Sequence, residues 1–317
     1  MEVLSTYAST KRYDPTQTTA LRNAFAREMK RRFIELKRVI KEAIVTQDCF
    51  GLNKKKITTM QVVPPGYEAF SFMRDPEKVE AFMRWLQLQE DRGLLSKGTL
   101  SQLGSAVENA WTDRYIFDSY KRGVMQAREE LRKAGYAVPS VEAAGGIMAI
   151  MGMPMHLDRV GLLYTRMFTG LTGITAQMDV LISQILSQGM IDGDGSRLIA
   201  QKLLASIDGV GMGTLGLTDA LGRFIPPQQR ADTLVRTEMI RAYHLASIQE
   251  YRNWGVEGVY VMAEWVTAGD DRVCEKCHEL EGKKFTLDEI EPLIPFHPRC
   301  RCMAMPYLAE LDKYLKR

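Results

Sequence analysis

Apolar residues recur at three- and four-residue steps through most of this chain, the spacing that gathers them on one face of a helix. Leu21, Phe25, Met29, Phe33, Leu36, Ile40 and Ile44 keep that step and predict one long amphipathic helix over 20–46, behind the Asp14–Pro15 pair. Its opposite face carries Arg27, Lys30, Arg31, Lys37, Arg38 and Lys41. Gly51–Lys56 and Pro64–Pro65–Gly66 signal loops. Asp75–Pro76–Glu77 predicts a helix start, with Asp as the cap and Pro in the first turn; that helix runs to about Asp91 with Val79, Phe82, Met83 and Leu86 inward. Gly93–Gly98 breaks the pattern, which resumes from Ala106 to Ala134, with Gly135 placed to end it. Three further helices are predicted over 157–188, 196–207 and 228–254; Gly189 and Gly255 end two of them, and a Gly209–Gly216 loop follows the other.

The period changes near the C-terminus. Residues 259–267 are β-branched and aromatic and predict a strand. Ala137–Met155 differs again, being rich in Gly, Ala and Met and nearly uncharged. The predicted organisation is an N-terminal helical region (1–136), a Gly/Ala/Met-rich connector (137–155), a central helical domain (156–255) and a C-terminal module (256–317). Within the connector, 143–155 is too short to span a membrane, which takes about 20 apolar residues. It reads as a mobile or locally buried link. An adaptable Met-rich contact surface and a membrane-active segment are the alternatives.

Composition adds little to this picture except through the placement of charge. The 317 residues are 45% hydrophobic and 26% charged with a net charge of +3, ordinary for a globular protein of two or three domains. Residues 20–56, however, hold 11 Lys and Arg against 4 Asp and Glu, a local +7, so the rest of the chain is mildly acidic. Such a basic helix, with Lys30, Arg31, Lys37, Arg38, Lys41 and the run Lys54–Lys55–Lys56, can meet an anionic partner. Phosphates neutralised by Lys and Arg release counterions, giving sequence-independent affinity for DNA. The competing reading is a helix solvated on this face and packed on a protein partner by the other. Glu2 follows Met1 with no apolar run behind it, so no secretory leader is expected.

The cysteines carry the most specific chemistry. One, Cys49, stands alone; the other four are Cys274-x-x-Cys277 and Cys300-Arg301-Cys302, with His278 and His297 in the same segment. That is no disulfide framework of a secreted domain, and it suits synthesis in a reducing cytoplasm. Two thiolates two residues apart can share a metal ion, and a second pair from a distant loop closes the site. Zinc suits sulfur and imidazole in a tetrahedral set. The candidate ligands are Cys274, Cys277, His297, Cys300 and Cys302, with His297–Cys300 and Cys300–Cys302 as alternative second pairs and His278 the weakest candidate. Buried reduced thiols and disulfides are the other readings. A closed four-ligand site is structural, not catalytic. The expected fold is mainly α: an elongated helical body with a small β-containing, zinc-knuckle-like C-terminal module.

These residues carry a resemblance. The succession Arg236-Thr237-Glu238, Gly255, Trp265-x-Thr267, Asp271-Arg272-x-Cys274-x-x-Cys277, Leu280-Glu281-Gly282-Lys283 and His297-Pro298-x-Cys300-Arg301-Cys302 resembles the C-terminal domain of phage Mu F-like minor head proteins, over about 155–306. The resemblance implies a structural role in head morphogenesis. It also implies a minor virion protein, made in the host cytoplasm and placed inside the capsid near the portal, with portal or major capsid protein as partners and a role in DNA packaging or ejection. Some relatives carry a toxin or transferase domain beyond this module; none is expected here. It further favours reading Arg236 and Glu238 as an ion pair tying their helix to the cysteine module, against an ordinary solvated face.

The enzyme alternative is a zinc-dependent nuclease or hydrolase using Asp270 and Asp271; these read better as turn formers paired with Arg272 or Arg301. A nucleic-acid-binding zinc module is the other alternative, but residues 256–317 hold fewer Lys and Arg than Asp and Glu. Gly209-x-Gly211-x-Gly213 lacks the preceding strand of a dinucleotide fingerprint. His156 and His244 read as lone core or surface residues, and neither a nucleophile set nor a small-molecule site is expected.

Overall fold

The computed structural model describes residues 14–52, 78–102, 105–208, 223, 225–255 and 261–308. Lys54, Lys55 and Lys56, the Pro64–Gly66 and Asp75–Glu77 signals, the Gly209–Gly216 loop and the first two residues of the predicted strand lie outside them. The fold is mainly helical, with a three-stranded antiparallel sheet near the C-terminus.

Helix α1 spans Thr19–Lys41 and buries Phe25, Met29, Phe33, Leu36 and Ile40, the stripe its spacing predicts. It runs into a π-helical turn, Glu42–Thr46, which keeps Ala43 and Ile44 inward. Helix α2 (Lys78–Arg92) buries Phe82, Trp85 and Leu86. A hairpin follows, β1 (Lys97–Gln102) paired antiparallel with β2 (Ser105–Ala110). This corrects the expectation of helix from Ala106. The backbone at Trp111 is tied to Ser96, the Trp111 indole donates to the Leu94 carbonyl at 2.8 Å, and Asp113 accepts the Ala110 N–H at 3.0 Å. These bonds hold the segment extended until α3 (Asp113–Lys133) begins.

The Gly/Ala/Met-rich stretch contains a short helix, α4 (Ile147–Met151), whose Ile150 and Met151 are buried. Then come α5 (Pro154–Ile191), α6 (Ser196–Asp208) and α7 (Pro227–Trp254). At 38 residues α5 is about 57 Å long, yet no helix among the described residues is long and apolar enough to cross a membrane. Gly189 does not end α5: a Cβ there would stand 2.9 Å from the Ile199 side chain, so this glycine lets α6 fold back closely. Gly123 does the same where α3 meets α7. A Cβ there would overlap the Tyr243 carbonyl and sit 2.7 Å from the Ala246 Cβ.

One apolar core runs through α1, α2, α3, α4, α5, α6 and α7, without a break at the Gly/Ala/Met-rich stretch. At its edge a buried polar cluster joins three helices. Glu250 of α7 accepts from Arg128 of α3 (3.1 Å), from His156 Nε2 of α5 (2.9 Å) and from the Trp254 indole (2.8 Å). The carboxylate can only accept, so Nε2 carries the proton and Nδ1 is left for the Tyr120 hydroxyl, 3.0 Å away. Arg128 also donates to the Pro139 carbonyl. His156 is thus a core residue, and so is His244, which donates to the Ile290 carbonyl and whose pKa burial lowers to about 4.

The C-terminal sheet has the order β4-β3-β5, from β3 (Val261–Val266), β4 (Lys284–Thr286) and β5 (Met303–Leu308). Two one-turn helices, α8 (Glu275–His278) and α9 (Leu287–Ile290), complete the module. Along β3, Val261, Ala263 and Trp265 point inward in strict alternation. They meet Ala127 and Leu131 of α3 and Ile240, Ile248 and Tyr251 of α7 in a second core. The module therefore shares its interior with the helices.

Candidate metal centre

Cys274 and Cys277 flank the start and middle of α8, whose single turn is closed by His278 N–H to the Cys274 carbonyl. The second half of the cluster rests on a β-turn, His297–Cys300, closed by Cys300 N–H to the His297 carbonyl at 3.1 Å. Pro298 occupies the second position and Arg299, at φ 61°, the third, the conformations a type II turn needs. A left-handed Arg is strained, and α7 holds it there. Arg299 donates its backbone N–H to Thr237 Oγ1 (3.0 Å), Nε to Thr233 Oγ1 (3.0 Å) and Nη2 to Asp232 (2.7 Å).

The turn delivers His297 Nε2 to 3.3 Å from Cys274 Sγ and 3.2 Å from Cys277 Sγ. The other ring nitrogen, Nδ1, donates to the Pro298 carbonyl at 2.8 Å. That bond fixes the tautomer that leaves the Nε2 lone pair facing the sulfurs. Cys277, Cys300 and Cys302 form a second group, and within each group the ligand atoms lie within 4.8 Å of one another. Cys277 belongs to both groups. Bonds to tetrahedral zinc of about 2.3 Å from sulfur and 2.0–2.1 Å from nitrogen place neighbouring ligands about 3.5–3.8 Å apart. The donor set, its tautomer and its spacing fit such an ion.

Three of the four sulfurs are buried and only Cys274 is exposed. Without a cation they compete for protons. The Cys302 thiol donates to Cys300, whose pKa falls to about 5, while burial and the neighbouring Cys300 charge push Cys277 up to about 12. Burial also raises the isolated Cys49, which is far in sequence from the cluster. His278 is exposed and belongs to neither group.

The two loops are also joined by charge. Asp270 accepts from Arg301 at 2.5 and 2.7 Å and from Arg272 at 2.7 Å, and its side chain is 4% exposed. Its backbone and carboxylate also form the turn into Cys274, through Val273 and Arg272 N–H. Both oxygens are thus occupied by guanidinium groups, which hold this carboxyl far below the usual carboxylate range. The folded pKa is depressed, so the stabilisation is present above the unfolded value near 4 and fades as pH falls through and below it. Asp270→Asn is expected to lower the melting temperature at pH 7 by a few degrees, and the gap from wild type should narrow toward pH 3. A gap that is constant with pH would show that the carboxylate charge contributes nothing.

Arg236 and Glu238 are brought near the module but do not pair with each other, because residues two apart on a helix point to different sides. Arg236 binds Asp232 and the Asn23 side chain, whereas the buried Glu238 accepts from Arg166 and Arg241. The side chains of α7 that reach the cysteine loops are Asp232, Thr233 and Thr237, through Arg299. Nothing in the spacing singled out Asp232 or Arg299; the left-handed turn that brings them together is visible only in three dimensions.

Of the basic residues on α1, Arg31 pairs with Glu28, Arg38 with Glu35 and Lys37 with Asp208. Lys30 and Lys41 are exposed.

The family model described as Phage Mu protein F like protein matches residues 181–305, from the last turns of α5 into β5. Residues 181–305 belong to the Mu F-like family. The match starts later than the resemblance in the sequence suggested, and it takes in α7, the Arg299 turn and all five candidate ligands. The Mu F-like family is one of structural phage head proteins and points to head morphogenesis. Neither the curated proteins nor the solved structures compared with the chain gave a match.

Proposed function

We propose that this protein is a structural, non-enzymatic minor head protein that sits inside the capsid near the portal vertex, with portal or major capsid protein as partner. The Mu F-like match across α7 and the whole cysteine cluster carries this reading. In it the C-terminal module is a rigid part clasped by one zinc ion. Cys274, Cys277 and His297 would supply three ligands and the Cys300–Cys302 pair the fourth, and the ion would contribute folding energy, not chemistry. The helices before the module make the docking contacts. In this reading the basic face of α1 meets packaged DNA and acts in packaging or ejection; the exposed Lys30, Arg31, Arg38 and Lys41 support it.

Imaging of virions carrying a tagged copy tests the location. The expected result is a few copies at a single vertex; a signal spread over the capsid or absent from it would overturn the proposal. A nuclease assay tests the enzyme alternative. Metal-dependent cleavage that is lost in a folded Cys274→Ser variant would replace the structural reading.

A further inference from the structure

A cleft of about 440 Å³ opens between α1, α7 and the Arg299 turn. Its charged walls are Arg27 and Lys30 from α1, Asp232 and Arg236 from α7, Asp208 and Arg299. Both carboxylates are already engaged, Asp208 by Lys37 (2.6 Å) and Asp232 by Arg236 (3.1 Å) and Arg299 (2.7 Å). Among the described residues, Arg27 and Lys30 make no ion pair, and both are exposed. Counted this way, Lys37 and Asp208 cancel, the Asp232 triad keeps one positive charge, and Arg27 and Lys30 add two. Among the described lining residues, three positive charges therefore converge on one cleft with no counter-charge left. Of the cleft residues, Arg236 also acts on the buried Arg22 of α1, whose pKa is lowered by burial first and by Arg236 and other like charges against the pull of Asp14.

The apolar lining residues Ala26, Met29 and Pro226 are themselves buried, so the cleft offers no apolar anchor of the kind a docked peptide uses. The exposed row on α1 continues past it through Arg31, Arg38 and Lys41. From Arg27 to Lys41 the row is about 21 Å long, the length of about six phosphates along one strand of DNA. On this row Arg31 pairs with Glu28 and Arg38 with Glu35, both through the i,i+3 spacing of the helix.

The geometry points to this cleft as a site for the phosphodiester backbone of DNA, seated between Arg27, Lys30, Arg236 and Arg299 and running out along α1. The inference rests on the head-protein reading only for the presence of DNA as a neighbour. It differs from a general basic-helix contact by including two arginines from the Mu F-like region.

The test is binding of the full-length protein to a fluorescein-labelled 20-base-pair duplex over a salt series. An exposed charge reversal in the cleft, Arg27→Glu with Lys30→Glu, is compared with an equal reversal elsewhere, Arg84→Glu with Arg197→Glu. The cleft variant is expected to bind about ten-fold more weakly, with the slope of log K against log salt reduced by about two, as loss of two phosphate contacts requires. The control variant should bind as the wild type does. The inference is overturned if the wild type does not bind, if both variants weaken equally, or if poly-glutamate is bound through the cleft and the duplex is not. Virions made with the cleft variant separate this result from the head-protein reading: the variant should still be incorporated whether or not it binds DNA.

Discussion

Cys277→Ser is expected to release the bound metal and open the C-terminal module. Cys277 is buried and is the one sulfur common to both donor groups. Structural zinc contributes about 10–16 kcal/mol in small zinc domains, comparable to the whole stability of a typical protein, about 5–15 kcal/mol. Wild-type protein should purify with about one zinc per chain; the variant should carry little, melt well below the wild type and show red-shifted tryptophan emission as the fully buried Trp265 meets water. His278→Ala, at an exposed position outside both groups, should change none of these. If metal analysis finds no zinc and a chelator leaves the melting curve unmoved, the metal clasp is wrong, and thiol titration then tells reduced cysteines from disulfides.

The second large effect is expected at Glu250. Removing one partner of a buried ion pair leaves the other charge uncompensated, at a cost of about 3–5 kcal/mol. Arg128 and Glu250 are 4% and 1% exposed, and the same carboxylate also holds His156 and Trp254. Glu250→Gln keeps the shape and removes the charge, so it should shift the denaturation midpoint by an amount equal to several kcal/mol without changing the fold. Arg31→Ala breaks an exposed pair on α1 and should cost no more than about 1 kcal/mol. A Glu250→Gln cost as small as that of Arg31→Ala would show that the cluster is not a keystone of the α3–α5–α7 junction. The Arg128→Met, Glu250→Met double variant measures the coupling: it should recover much of the loss, since apolar residues of similar volume can replace a buried pair.

The residues that were legible from sequence are those governed by local period and spacing. The α1 stripe from Phe25 to Ile40, Gly135 after α3 and the existence of strand β3 follow from rules acting within a few residues. The five candidate ligands that Cys-x-x-Cys and His-Pro-x-Cys-x-Cys suggest come together in two overlapping groups, because turn geometry places those side chains. The hairpin was missed because residues 106–110 have no strong period of their own; their extended form is set by Trp111, Leu94 and Asp113. The partners of Arg236 and Glu238 were missed for a similar reason. Asn23 lies 213 residues from Arg236, and Arg166 lies 72 from Glu238, so only the packing of α1, α5 and α7 reveals them. Two neighbouring charges on a helix invite a pairing that their angular separation forbids.

The core shared by the module and the helices also sets a schedule for the newborn chain. The Tyr251 hydroxyl donates to Glu130 at 2.7 Å and lies 3.3 Å from the carbonyl of Ala304, 53 residues further on. Ribosomes add about 5–20 residues each second. For roughly 3–10 seconds, therefore, the oily strip formed by Leu131, Ile240, Ile248 and Tyr251 has emerged without the strands that will cover it. During that interval each nascent chain presents its neighbours on a polysome with the same uncovered strip, so the crowding of ribosomes on the message becomes a variable in how much of this protein folds and how much clumps.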